Sequence, residues 1–351
     1  MNLEQKISNM IIIGFHGRYP SDPGVKRVIF YLEQGIIGGV ILYKYNIESP
    51  QQLKNLIDSF KKVNRDIFIA VDQEGGKVER LSKDKGFKGY PTAACVAKEY
   101  SLKQAEELYS NMAHELHSYG INLNFAPIVD VNNSQKPCPV IGKLERSFSE
   151  NISVIIDYAT AFIDAHYKNQ VFTSLKHFPG HGFANADSHH GLTDVTDTFD
   201  QKELIPFYEL IKSNKADMIM TAHILNRKLD NDYPATLSPV ILKSLLRDKD
   251  FNGVIISDDL FMGAIIKYYT LHESIILAIN ASCDILLFSS NKAAYSMAKG
   301  FNEPDNIPMV VKQIIIDSLN NKLIHKRQID IAYDRIISLK SRYKLQKIID
   351  I

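Results

Sequence analysis

The 351-residue sequence has few cysteines and no excess of either charge. Cys95, Cys138 and Cys283 are odd in number and far apart, which argues against a disulfide framework and against a CxxC metal or redox site. Lysine and arginine total 41 against 40 acidic residues, with no basic tract and no acidic tail. Because nothing in the chain concentrates positive charge against a phosphate backbone, we expect no nucleic-acid partner.

Long apolar runs are also missing. No run approaches the ~20 apolar residues that a membrane helix needs, so we expect no membrane partner. The apolar run at residues 10–15 is too short for a signal-peptide core and lacks a small-residue cleavage motif. Together with the scattered cysteines, this predicts a protein of the reducing cytoplasm.

Eight short apolar runs, many of them β-branched, recur along the chain and alternate with stretches whose apolar residues have helical spacing. The strand-like runs are 10–15, 36–43, 66–72, 121–131, 171–178, 217–224, 253–259 and 283–288. The helical stretches between them include 51–63, 102–119, 152–168, 201–213 and 237–249. Strand followed by helix, repeated, predicts a parallel sheet.

The number of strand–helix units favours a closed (β/α)8 barrel of TIM type as a single domain, with a doubly wound open sheet as the alternative. No Gly-x-Gly-x-x-Gly follows the first strand, and polar residues end most strands: Asp72, Asn124, Asp130, His177, His223, Asp258 and Asp259. In a barrel such residues meet at one face. We predict a catalytic barrel over residues 1–300, with residues 301–351 forming helices packed on it.

The motif KHFPGHG at residues 176–182 is the densest group of ionisable and backbone-directing residues. His177 and His181 are four apart, which on a helix would suit zinc, but Pro179 and Gly180 exclude that helix. A metal site is therefore the weaker interpretation. The segment predicts an irregular loop at a strand end, where polar side chains converge.

Asp187 and His189 follow closely, two residues apart in the same loop. A carboxylate at this spacing can orient an imidazole and favour its protonated form, which suggests a proton-transfer pair. A single histidine here would more often only bond loop backbone. This segment has four histidines close to Asp187 and Lys176, which makes that structural interpretation the weaker one. They are His177, His181, His189 and His190.

Other strand ends offer further candidates. Asp258 and Asp259 are adjacent at a strand end, so one is a candidate nucleophile, while capping of the next helix explains at most one of them. Asp72 and Arg80 flank a Gly-Gly turn and could bind a polyhydroxylated ring, or simply be solvated. Arg146 in a long loop and His223 at a strand end are weaker candidates for binding the substrate.

Several motifs in order resemble the single-domain β-N-acetylhexosaminidases of glycoside hydrolase family 3. They are VDQEGGKVERL, NLNFAPIVDV, ERSF, KHFPGHG followed by DSH, MTAHI and GVIISDDLFMGAI, over roughly residues 10–290. The resemblance implies a (β/α)8 barrel and retaining exo-hydrolysis of a terminal β-linked N-acetylglucosamine, with no cofactor and no metal. It implies that Asp258 is the nucleophile and His189 the general acid/base, partnered by Asp187. It also implies sugar contacts from Asp72, Arg80, Arg146, Lys176 and His177.

Alternative functions stay open on sequence alone. The histidine cluster with Asp258 would also suit a metal-dependent barrel hydrolase, and an inactive sugar-binding barrel is a third possibility. A histidine acid/base avoids a second carboxylate facing incoming phosphate, so phosphorolysis of β-N-acetylglucosaminides is a further rival. The resemblance suggests a small carbohydrate substrate, a cell-wall muropeptide in the recycling of peptidoglycan, although chitin fragments or glycoconjugates would use the same subsite.

Overall fold

The computed structural model describes residues 1–187, 191–295 and 301–349. Its strands are short and almost wholly buried: β1 (Ile11–Ile13), β2 (Gly39–Leu42), β3 (Phe68–Val71), β4 (Leu123–Asn124), β5 (Phe172–Phe178), β6 (Thr193–Asp194), β7 (Met218–Thr221), β8 (Ile224–Leu225), β9 (Val254–Ile256) and β10 (Leu286–Phe288). Burial on both faces explains why these strands appear in the sequence as continuous apolar runs.

Within the described residues, eight of these strands pair in parallel in the order β10-β1-β2-β3-β4-β5-β7-β9. The sheet closes on itself between its last and first strands. Ile285, just before β10, forms a parallel bridge with Ile256 of β9, and the amide of Ser257 donates to the Ile285 carbonyl at 3.0 Å. The predicted (β/α)8 barrel is therefore confirmed. The pair β6 and β8 lies outside the barrel sheet, with Thr193 opposite Ile224.

Helices connect the strands. They are α1 (Leu3–Asn9), α2 (Pro23–Glu33), α3 (Pro50–Val63), α4 (Ala93–Glu99), α5 (Leu102–Tyr119), α6 (Ile152–Lys168), α7 (Ile205–Lys212), α8 (Pro239–Leu245), α9 (Gly263–Ile266), α10 (Leu271–Asn280), α11 (Lys292–Tyr295), α12 (Ile307–Asn320) and α13 (Lys326–Ile349). In α5, Ser101 and Gln104 form a capping box, and Gly120 ends the helix in the left-handed region at φ 94°.

The last two helices pack against the rest of the chain through buried apolar side chains such as Val311 and Ile336. Arg335 of α13 pairs at 3.1 Å with Asp284, which lies shortly before β10. The ammonium of Lys340 lies 4.7 Å from the ring centre of Phe68, the first residue of β3. Helix α13 thus runs along the amino-terminal ends of the strands. The division of the chain at residue 300 stays a prediction.

Across the described ranges, no helix combines the length and the apolar character that crossing a membrane requires.

Candidate active site

A cavity of about 320 Å³ opens at the carboxyl-terminal ends of the barrel strands. Its wall includes nine of the residues singled out in the sequence: Asp72, Arg80, Arg146, Lys176, His177, His181, Asp187, Asp258 and Asp259. They come from the ends of three different strands and from three loops, those that follow β3, β4 and β5. The carboxyl ends of parallel barrel strands meet at one face, which is where the active sites of this architecture lie.

One side of the cavity is a buried network of cations and carboxylates. Lys176 Nζ lies 2.9 Å from Asp72 Oδ1 and 2.7 Å from Glu74 Oε1. Arg80 Nη2 donates to Asp72 Oδ2 at 2.8 Å. Arg146 binds Glu74 with both Nε and Nη2 at 2.8 Å, the two-pronged geometry that fixes a guanidinium most firmly.

The charges in this network keep both acids ionised. Burial alone would raise the pKa of Asp72, but the charges of Lys176 and Arg80 outweigh it and hold that pKa well below its ordinary value. In the same way, Arg146 and Lys176 overcome burial and lower the pKa of Glu74 to about 2. At neutral pH the wall therefore offers fixed ionic acceptors and donors.

Asp130 organises the KHFPGHG loop from behind the cavity. Its Oδ1 accepts the backbone amides of His177 at 3.0 Å and His181 at 2.9 Å. Its Oδ2 lies 2.8 Å from His177 Nδ1, and because a carboxylate can only accept, Nδ1 carries the proton. Burial opposes ionisation of Asp130, but His177 outweighs it and lowers the pKa. His181 also lines the cavity, and burial lowers its pKa to about 4, so it is neutral.

The two adjacent acids after β9 have different environments. Asp258 is half-buried, lines the cavity, and its Oδ1 accepts the backbone amide of Asp259 at 2.8 Å. Asp259 is buried, and its carboxyl accepts the amides of Ser289 and Phe261, both at 3.0 Å, and the Ser289 hydroxyl. Burial raises the pKa of Asp259 to about 6. Neither acid caps α9, whose N-cap is Met262, so the capping interpretation of this pair was wrong.

His223, predicted as a substrate contact, is fully buried behind the cavity wall. Its Nε2 donates to the carbonyl of Asp259 at 2.9 Å, and its Nδ1 lies 2.8 Å from Thr236 Oγ1. Among its described contacts, His223 therefore holds the segment that carries the two acids. His189, predicted as the general acid/base, lies outside the described residues.

Two residues of the cavity wall did not appear among the sequence candidates. Glu74 is two positions beyond Asp72 on the same strand end, and this alternation was the available signal for it. Tyr43 lines the cavity from the end of β2, and the guanidinium of Arg80 lies 5.3 Å from its ring centre. No sequence motif marked Tyr43. In the part of the chain that the structure describes, His, Cys, Asp and Glu form no group of three suited to a metal ion.

The comparisons with known proteins agree with this geometry. Residues 2–339 match the family model described as "Glycosyl hydrolase family 3 N terminal domain". A beta-hexosaminidase of Tolumonas auensis is 38% identical over 285 residues, which cover 78% of this chain and 82% of that protein. Beta-hexosaminidase A of Pseudoalteromonas piscicida is 34% identical over 87% of this chain, but the match spans only 53% of that longer protein.

A solved structure has a closely similar fold. It is a glycoside hydrolase family 3 beta-N-acetylglucosaminidase from Paenibacillus sp. str. FPU-7, with a TM-score of 0.86 and 29% sequence identity. The match covers 99% of this chain and 63% of that one. The resemblance seen in the motifs is confirmed, and the chain belongs to glycosyl hydrolase family 3.

Proposed function

We propose that the protein is a retaining β-N-acetylglucosaminidase that removes a terminal N-acetylglucosamine from a small carbohydrate. The observation that carries this proposal is a single cavity whose wall contains Asp258 and Asp187 together with the ionic network around Asp72. The names of the two curated relatives and of the solved structure support the same activity. A carboxylate and a proton-transfer group facing one sugar are what glycoside hydrolysis requires.

The ionic network would bind the hydroxyl groups of the terminal sugar. Asp72 is held ionised, so its carboxylate can accept hydrogen bonds from two neighbouring hydroxyls. Arg80, Lys176 and Arg146 supply donors that their carboxylate partners already hold in place. Preorganised partners cost little entropy on binding, so the network would fix the ring in one orientation.

The proposed reaction has two steps. In the first, the carboxylate of Asp258 forms a bond to the anomeric carbon, and the glycosidic bond breaks as its oxygen takes a proton from the imidazolium of His189. In the second, His189 accepts a proton from water, and the hydroxyl displaces Asp258. Asp187 would orient the imidazole and stabilise its cation. An imidazole has an ordinary pKa of ~6.5, so it can serve in both steps near neutral pH.

The proposed natural substrate is a peptidoglycan-derived muropeptide. The free thiols of Cys95, Cys138 and Cys283 suit the reducing cytoplasm, where such fragments would be recycled. We expect a higher kcat/KM on an N-acetylglucosaminyl muropeptide than on a chitobiose analogue. The reverse order would leave the hydrolase proposal standing and overturn this choice of substrate.

The activity itself is tested with a chromogenic N-acetyl-β-glucosaminide. Wild type should release the chromophore, and Asp258→Asn should lower kcat by about 10³-fold or more, as expected when a nucleophile is lost. Asp250→Asn is the matched control, because Asp250 is exposed and asparagine tolerates its positive φ of 62°. Added phosphate should leave the rate unchanged; formation of a sugar 1-phosphate would favour the phosphorylase alternative.

A further inference from the structure

Glu203 is a buried acid to which the proposed mechanism assigns no role. It lies in a short 3-10 helix, Gln201–Leu204, directly before α7, and only 1% of its surface is exposed. Its Oε1 accepts the backbone amide of Gly182 at 2.9 Å and that of Phe183 at 3.2 Å. A carboxyl from the next helical segment therefore holds the loop that leads from β5 towards Asp187.

Asp130 holds the same loop at the neighbouring position. Its Oδ1 accepts the amide of His181 at 2.9 Å, so two buried acids take three consecutive backbone amides, those of residues 181, 182 and 183. Buried backbone amides require hydrogen-bond partners, and these three find theirs in carboxyl oxygens of Asp130 and Glu203. The path of this segment is thus set by side chains from two other parts of the barrel.

Close packing restricts the loop further. A Cβ atom added at Gly180, whose φ is 134°, would lie 2.4 Å from Glu203 Cβ, and one added at Gly182 would lie 1.8 Å from the Val131 carbonyl oxygen. Both separations are far below a van der Waals contact. Lys202, beside Glu203, also places its ammonium 4.7 Å from the ring centre of Phe183.

We propose that Glu203 is a positioning residue for the reaction. By binding the amides of Gly182 and Phe183, its carboxyl fixes the start of the loop that leads to Asp187, and thereby the position of the Asp187 carboxylate in the cavity wall. The catalytic consequence rests on the proposed function, whereas the clamp on the two amides does not. Loss of the clamp reduces proton transfer to the leaving group more than attack by Asp258.

The chemistry of Glu203 suggests a sharp pair of substitutions. Burial, and secondarily the charge of Asp130, raises the pKa of Glu203 to about 8, so near neutral pH its carboxyl is mostly uncharged and accepts through oxygen much as an amide does. Glu203→Gln keeps an oxygen acceptor at the same reach. Glu203→Met has a similar length and volume but no comparable acceptor. Glu209→Met, on the exposed side of α7, is the matched control.

The first measurement compares kcat/KM, which reports the cleavage of the glycosidic bond in the first step, on two N-acetyl-β-glucosaminides, one with a 4-nitrophenyl leaving group and one with an alkyl leaving group that needs protonation. We expect E203M to lower kcat/KM about tenfold or more on the alkyl glycoside and less than about threefold on the nitrophenyl glycoside. E203Q should stay within about threefold of wild type on both. Equal losses on both substrates, or no loss for folded E203M, would overturn the positioning role.

The second measurement does not depend on activity. Amide hydrogen exchange of peptides covering residues 180–187 should speed up about tenfold in E203M and little in E203Q or E209M. If wild type hydrolyses neither glycoside, the proposed function fails while exchange still decides the clamp. Unchanged exchange of these amides in E203M would contradict the proposal. An increase of about tenfold in E203Q would contradict it too. Since E203Q retains the acceptor, it gives a result even if E203M does not fold.

Discussion

At the scale of single residues, the cavity depends on a lysine that two carboxylates share. The side chain of Lys176 is only 3% exposed and lies within 3 Å of both Asp72 and Glu74, at 2.9 and 2.7 Å. Removing one partner of a buried ion pair leaves an uncompensated charge. We predict that Lys176→Met lowers the free energy of unfolding at pH 7 by about 3–5 kcal/mol. Urea denaturation followed by circular dichroism measures this.

The control for that variant is Lys168→Met, which removes an exposed ion pair with Glu106. Exposed pairs contribute at most about 1 kcal/mol, so this variant should be close to wild type. The loss in K176M should also shrink at low pH. The pKa of Asp72 is lowered in the folded state, so the stability it contributes is present above its unfolded pKa and lost as pH falls through the folded value. Equal losses in the two variants would show that the buried pairs of Lys176 stabilise the fold no more than an exposed ion pair does.

Glu203 gives a pH dependence of the opposite sign. Its folded pKa of about 8 lies above the ordinary value of 4.5, so the folded protein binds a proton more tightly than the unfolded chain does. Its contribution to stability is complete below about 4.5 and is lost as pH rises towards about 8. We predict that Glu203→Gln removes this decline, which is on the order of a few kcal/mol.

The measurement is the free energy of unfolding of wild type and E203Q at intervals from pH 5 to pH 8.5. As the pH rises through that range, wild type should lose stability relative to E203Q, so the difference between the two free energies should change. Glu209→Gln is the control, since Glu209 is exposed on α7. A constant difference in free energy would mean that Glu203 is ionised throughout this range. Its hydrogen bonds from two amides would then lower its pKa more than burial raises it.

At the scale of elements, helices were predicted more closely than strands. Residues 102–119 and 152–168 were predicted as helical, and α5 and α6 have these bounds. The predicted strand at 121–131 contains only Leu123–Asn124. An apolar run in the sequence indicates that the residues are buried. The length of a strand depends instead on how many of its residues pair with an adjacent strand. The cis bond between Ala126 and Pro127 falls inside this run.

Helix α13 offers a test of packing within one element. Ile336 is fully buried, whereas Ile331 on the same helix is 36% exposed. Truncating a buried isoleucine to alanine typically costs about 2–5 kcal/mol, and an exposed one much less. We predict that Ile336→Ala lowers the free energy of unfolding by about 3 kcal/mol and Ile331→Ala by less than about 1. Thermal and urea denaturation would check both; similar losses would contradict this placement of α13.

At the scale of the whole molecule, the alternation of strands and helices was enough to predict the barrel and to gather strand-end residues at one face. It could not predict which polar groups face the cavity. His223 follows a strand as Asp72 does, yet it turns into the protein and binds the Asp259 carbonyl. The partnership of Glu74 with Arg146, 72 positions apart, exists only after folding. Long-range pairing of this kind leaves no periodic signal in a single sequence.

In the proposed mechanism, Asp258 bonds covalently to the sugar in the cavity at the barrel mouth. The most direct test is peptide mapping by mass spectrometry after incubation with a slow-reacting fluorinated N-acetylglucosaminyl substrate, which accumulates the glycosyl-enzyme. We predict one glycosyl group per chain, on Asp258, and none in Asp258→Asn. A stable adduct on any other residue, or one that still forms on the D258N variant, would contradict it.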